Sequence, residues 1–395
     1  MKIIKRDGRE VDVKFDKITN RIQGILKTFN ELSFEKQARL TESRTESGEP
    51  FLDIDPILVS QKVCNALIHN IKTEDIDRLA SEVSQTLCIN HPDYSVLAGL
   101  ICISNLHKCT PKTFHKYIES LHDDNVISDN IFKIANKHKD SIQEILDDND
   151  DYSYDFFAFK TLEKSYLIKC PQTRKVIERP QYLYMRVSIG IHGDDFKAIK
   201  ETYQALVTSK IIHASPTLFN AGTIRPQLAS CFLLELEHDS IDGIYNTIKE
   251  CAVISKFSGG IGVHISKVRG SGAHIAGTNG ITDGIIPMCK VFENTMKYVN
   301  QSGRRAGAFA IYLEPWHVDI LDFLELRLPT GADHQRCRDL FTAIFVNDIF
   351  MKRVKANGDW SLFNEHNTPG LCDAYGDDFD SLYLKYEKEG LAVKL

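Results

Sequence analysis

The chain has 395 residues, of which 43 % are hydrophobic and 26 % charged. Those proportions belong to a folded globular protein and exclude disordered and fibrous classes, while the length corresponds to about two or three domains. A formal net charge of −6 argues against a general nucleic-acid binder, and no apolar run approaches the roughly 20 residues of a membrane helix.

Met1-Lys2-Ile3-Ile4 runs directly into the charged segment 5–10, with no apolar stretch of a signal peptide, so the expected location is the cytoplasm. Ten cysteines are scattered along the chain and none forms a Cys-x-x-Cys pair, which removes support for a zinc ribbon or a thioredoxin-type motif. They are expected to be reduced thiols, mostly acting as small buried hydrophobes.

Residues 1–17 read as a β-hairpin. Lys2–Arg6 and Glu10–Phe15 flank Asp7-Gly8, a dipeptide suited to positive φ. Helical spacing follows at Ile18, Ile22, Ile25, Leu26 and Phe29, at Val59, Val63, Leu67 and Ile71, and then over 75–85 and 94–106. Between the first two patterns, Ser33–Asp55 is polar and contains Gly48 and Pro50, which predicts a solvated insertion outside the core. Residues 110–213 read as mostly helical, and the acidic run 147–151 as a solvated connection. Near Ser215-Pro216 the texture changes. Short apolar runs at Cys231–Leu236, Ile261–Ile265, Ala308–Leu313 and Thr342–Val346 alternate with helical ones, which predicts an α/β layer or barrel.

Several places suggest chemistry on their own. Lys5, Arg6, Arg9, Lys14 and Lys17 crowd the hairpin, and alternation along a strand puts at least two on one face, either to hold a phosphate chain or to face solvent. Asp239 or Ser240 can cap a helix striped by Ile241, Ile244, Tyr245, Ile248 and Ala252; beyond its end near Lys256, a glycine-rich turn leads to Lys267 and Arg269. Cations beside flexible glycines suit a polyphosphate. Neither Gly-x-x-x-x-Gly-Lys-Ser/Thr nor a full Gly-x-Gly-x-x-Gly occurs, so a P-loop NTPase and a Rossmann dehydrogenase are disfavoured. Cys231 stands at a loop-to-strand boundary, better placed for reactivity than a mid-helix thiol, although packing alone would also account for it. Trp316-His317 has no partner at metal-ligand spacing and reads as packing.

Longer stretches go further. They include Ile4-Lys5-Arg6-Asp7-Gly8-Arg9, Phe15-Asp16-Lys17-Ile18-Thr19, His91-Pro92-Asp93-Tyr94, the run His213–Thr223, Arg225-Pro226-Gln227-Leu228, Ile275-Ala276-Gly277-Thr278-Asn279-Gly280, Leu313-Glu314-Pro315-Trp316-His317 and Asp359-Trp360-Ser361-Leu362. In this order they resemble the large, catalytic subunit of class I ribonucleotide reductase, nearest the eukaryotic and viral type. The resemblance implies an α+β and α/β chain: an ATP cone (a β-hairpin plus helices) over 1–110, a helical domain over 111–213, and the first half of a ten-stranded α/β barrel over 214–395.

It also implies site residues. Lys5, Arg6, Val11, Asp12, Val13, Lys14, Phe15, Asp16, Lys17, Thr73, Asp77 and Lys108 match the cone's ATP/dATP activity site, with Asp77 the carboxylate that tells dATP from ATP. Asp239, Ser240, Ile241, Lys256, Arg269, Ala276 and Gly277 match a specificity site for deoxynucleoside triphosphates or ATP. Gln301–Gly307 corresponds to the loop that relays effector identity, here one residue shorter than in the eukaryotic form and without its proline, with Arg304 or Arg305 as the relay. Cys231 matches the first member of the redox pair, and Ser215 and Ser230 match substrate contacts.

The family's thiyl radical forms on a cysteine in an Asn-x-Cys-x-Glu motif, which these residues do not contain. The expectation is therefore an N-terminal part that works with a C-terminal half of the large subunit, supplied as a separate chain or missing here. The other implied partners are a radical-generating small subunit, a second large subunit in a homodimer, and thioredoxin or glutaredoxin as reductant. No metal is expected in this chain, because the radical cofactor belongs to the small subunit; no nucleic acid or membrane partner is expected. The alternative is a non-catalytic ATP/dATP-binding regulatory protein built on the cone.

Overall fold

The structure is a computed structural model that describes residues 2–257, 259–299 and 307–394, and it divides into two compact units, 1–228 and 229–395. In the first unit, β1 (Lys2–Ile4) and β2 (Glu10–Asp12) pair antiparallel with Ile3 opposite Val11. The turn between them is closed by Lys5 N donating to Arg9 O at 2.8 Å, and Gly8 takes φ +85°, which a side chain would resist. A third strand, β3 (Ile71–Lys72), lies parallel to β1 on its other side. The helical pattern read through Ile71 therefore ends early. Asn70, at φ +60°, turns the chain out of the helix and into the sheet.

Five helices complete this part: α1 (Asp16–Glu31), α2 (Phe34–Leu40), α3 (Pro56–Asn65), α4 (Thr73–Thr86) and α5 (Asp93–Cys109). α1 buries Ile18, Ile22, Ile25 and Phe29, the stripe its spacing predicts. α5 is buried on all sides, including Leu97, Leu100, Ile101 and Ile103, as befits a helix at the centre of a core. Farther on, α6 (Pro180–His192) is buried in the same way, starting from a proline that suits a first helical turn.

One sequence reading is refined here and another corrected. Ser33–Asp55 is largely exposed, as expected of a solvated insertion, but it is an ordered segment. It begins with α2, capped by Ser33, and ends at Asp55, which caps α3. Between them the chain is tied to Asp93, a 2 % exposed carboxylate that accepts from Thr41 Oγ1 at 2.6 Å, Ser43 Oγ at 2.7 Å and Asp53 N at 2.8 Å. The tip, 44–49, is exposed throughout, while Thr41 and Pro50 are buried. The acidic run 147–151 is likewise held rather than free. Asp151 is buried and accepts from the Gln181 amide and pairs with His107, Asp148 accepts from the buried Arg179, and Asp150 pairs with Lys36 of the insertion at 2.6 Å. Burying a carboxylate is tolerable only with such partners, and these come from elements that charge counting along the chain does not reveal.

The second unit holds a parallel four-stranded sheet in the order β4 (Cys231–Glu235), β5 (Gly260–His264), β6 (Phe309–Leu313), β7 (Phe341–Ile344). All four predicted apolar runs are strands. α7 (Ile241–Lys256) and α8 (Ile285–Val299) connect them, as parallel pairing requires, and their buried Ile248, Cys251, Cys289 and Phe292 join Val263 and Ile311 in one core. Trp316-His317 packs as expected. Both residues are fully buried; Trp316 Nε1 donates to Glu314, and His317 Nε2 donates to the Val268 carbonyl at 2.8 Å. Among the described residues no helix is long and apolar enough to cross a membrane.

Candidate functional site

The hairpin, α1 and the ends of α4 and α5 enclose a cleft of about 750 Å³. Its walls include Lys5, Arg6, Val11, Asp12, Val13, Lys14, Lys17, Thr73, Asp77 and Lys108, so ten of the twelve residues read as an activity site come together. Phe15 and Asp16, at the start of α1, are not among the walls, and Phe15 is exposed.

One carboxylate organises the cleft. Asp77, 7 % exposed, meets Arg6 at 3.3 Å, Arg21 at 3.1 Å and Lys108 at 3.1 Å. Arg21 was not read as a site residue. It stands one turn beyond Lys17 on α1, a spacing that puts both on one helix face and could have pointed to it. Its guanidinium also donates to Ser104 at 2.8 Å. Burial pushes the Lys108 ammonium down, with Arg21 and Arg6 adding to this and Asp77 opposing it. Lys5, Arg6, Lys14, Lys17, Arg21 and Lys108 face only Asp7, Asp12 and Asp77 across the cleft, so it carries excess positive charge suited to a polyphosphate.

In the second unit, Ser240 caps α7 by accepting from Gly243 N at 3.1 Å. Asp239 beside it pairs with Arg269 at 2.5 Å, and Arg269 also donates to the His274 carbonyl. That carbonyl belongs to a small hairpin, His274–Ile275 with Gly280–Ile281, whose turn carries Ala276 and Gly277. Ile241 is exposed. Lys256 stands apart: it ends the 16-residue α7 that Ile241 begins, roughly 22 Å away along the axis. Arg304 and Arg305 lie outside the described residues.

Cys231 opens β4 as an exposed thiol, with Ser230 Oγ 3.6 Å from its sulfur. Ser215 belongs to the first unit, where its hydroxyl lies 2.9 Å from Tyr166 OH.

These elements match known families in the same order. The ATP cone domain matches residues 1–109, the all-alpha domain of ribonucleotide reductase matches 152–226, and its barrel domain matches 229–394. The chain belongs to the ribonucleotide reductase large-subunit family. It is 47 % identical over its whole length to the ribonucleoside-diphosphate reductase large subunit of Danio rerio, covering 48 % of that protein. It is 46 % identical to the large chain of Schizosaccharomyces pombe and 46 % identical to the large subunit of Monkeypox virus, with 98 % of this chain aligned to 46 % and 49 % of theirs. The chain thus spans about half the length of the curated relatives it matches. Residues 1–109 thus correspond to the family's ATP cone, and the four parallel strands lie at the start of the region that matches its barrel domain.

Proposed function

We propose that this chain is the N-terminal part of a ribonucleoside-diphosphate reductase large subunit, in which the cone cleft binds ATP or dATP to set overall activity. The observation that carries the reading is the buried Asp77 holding Arg6, Arg21 and Lys108 at the wall of a cationic cleft. The phosphates meet the lysines and arginines, and the Asp77 carboxylate faces the sugar and separates dATP from ATP. The Asp239–Arg269 pair with its hairpin is the specificity site, where a deoxynucleoside triphosphate replaces some of the contacts the pair now makes.

Ribonucleotide reduction replaces the 2′-hydroxyl by hydrogen, and two thiols supply the two electrons by closing to a disulfide. Cys231 is one of them, exposed as such a role demands. The radical cysteine, a radical-generating small subunit, a second large subunit and a thioredoxin- or glutaredoxin-type reductant complete the reaction, in the cytoplasm. A purely regulatory ATP/dATP-binding protein would need the cone alone, whereas the barrel unit with its exposed thiol favours the reductase reading.

Calorimetry on the full chain tests it. ATP and dATP should both bind, and Lys5→Ala should weaken binding roughly ten- to hundredfold, the worth of one charge-assisted contact. Absence of heat with either nucleotide would sink the assignment.

A further inference from the structure

Glu235 and His264 end adjacent strands β4 and β5 and are register partners in the parallel sheet. Strand ends of this polarity are where α/β folds place ligands. Cys372 joins them from a loop more than a hundred residues away in sequence, so that one donor atom from each of the three lies within 4.8 Å of the others. His264 Nδ1 is 3.7 Å from Glu235, while Nε2 sits 3.2 Å from Glu314 and makes no hydrogen bond there. Glu314 is only 3 % exposed, and its other oxygen is fixed by Trp316 Nε1 at 2.7 Å and Asn347 Nδ2 at 2.9 Å. Its second oxygen, Oε1, faces His264 and accepts from the Cys372 thiol at 3.9 Å. Glu365 adds a buried carboxylate oxygen with no hydrogen-bond partner. Glu314, Glu365 and Glu235 all bear on Cys372 against a single ammonium, Lys267, which spans Glu235 at 3.0 Å and Asp373 at 2.9 Å.

We propose that Glu235, His264 and Cys372 bind a divalent cation of the zinc class. One carboxylate, one imidazole and one thiolate form a donor set of borderline softness that suits tetrahedral Zn²⁺. Nδ1 of His264 turns to the metal, and Nε2–H donates to Glu314, the carboxylate that orients a ligating histidine from behind. Cys372 gives its proton to solvent as the metal binds. Glu235, the most exposed of the three, closes the remaining gap by leaving Lys267, which keeps Asp373. The site lies on the same strand as Cys231 but about 13 Å along it, and the inference adds a metal to a chain whose family resemblance predicts none.

Cobalt(II) is the probe. The full chain, stripped with a chelator and desalted, should develop a thiolate-to-cobalt charge-transfer band in the near ultraviolet together with visible bands of tetrahedral intensity, and equimolar Zn²⁺ should erase both. Cys372→Ser should abolish the charge-transfer band, Glu235→Gln and His264→Ala should weaken binding about tenfold or more, and Cys231→Ser should leave the spectrum unchanged. Lys267→Met should tighten binding, because it frees Glu235. Circular dichroism establishes that each variant is folded. No charge-transfer band in the native chain, or one that survives Cys372→Ser, overturns the proposal. If Cys372→Ser does not fold, unchanged cobalt titrations of Glu235→Gln and His264→Ala overturn it equally.

Discussion

Arg21 donates through Nε to Asp77 across 3.1 Å, joining the first helix of the cone to the fourth over 56 residues of sequence. Because the same carboxylate also takes Arg6 and Lys108, one buried anion positions three cations. Asp77→Asn keeps the shape and removes the charge. Both ATP and dATP should still bind, but the ratio of their dissociation constants should change by about tenfold or more, the value of a hydrogen bond to a charged group. Calorimetry with the two nucleotides measures it; an unchanged ratio would remove Asp77 from sugar discrimination.

Asp93 is the tether of the 33–55 segment. Asp93→Ala strands Thr41, Ser43 and the Asp53 amide without their acceptor, and should cost about 2–4 kcal/mol of stability. Limited proteolysis should then cut within 42–55 faster than in the native chain. Equal cutting rates would show that the tether does not hold the segment.

Glu178 and Arg186 form an ion pair with both side chains fully buried, the guanidinium Nε reaching the carboxylate at 2.7 Å and Tyr117 OH donating to the same oxygen. Removing one partner leaves the other charge uncompensated in the core. Arg186→Met and Glu178→Gln should each destabilise the first unit by about 3–5 kcal/mol, and the double variant by clearly less than their sum. Urea unfolding of the three variants reads this directly, and strict additivity would show the two charges to be uncoupled.

Glu293 sets an acid limit for the second unit. Burial alone would raise its carboxyl, but Lys290 at 2.8 Å, the Asp339 amide at 3.0 Å and Lys297 at 3.5 Å outweigh it and hold the group below the usual carboxylate range. A carboxyl lowered in the folded state contributes stability above its unfolded pKa, near 4.3, and loses that contribution as pH falls through the lowered folded value. Thermal melts should therefore decline below about pH 4.3, and Glu293→Gln should flatten that part of the profile while lowering the melt at neutral pH. An identical acid limb in the variant would assign the loss to other groups.

The sequence by itself determined what depends on near neighbours. The strand runs from Cys231 to the 341–344 segment, the Ile18–Phe29 stripe, a cap at Asp239 or Ser240 and the crowding of cations on the hairpin all rest on spacings of two to four residues, and the structure keeps each of them, with Ser240 as the cap. The family was legible for the same reason, since its motifs are short local strings. What only the tertiary structure decided are pairings between distant elements. Arg6 reaches Asp77 across 71 residues, β3 slots beside β1, and Lys36 meets Asp150 across 114. Such contacts leave no periodic trace, so polarity along the chain did not reveal the Asp93 tether of the largely exposed 33–55 segment or the burial of Asp151 in the 147–151 run. A charged side chain is exposed or buried according to whether a partner waits where the backbone delivers it, and that is fixed by packing rather than by the neighbours in sequence.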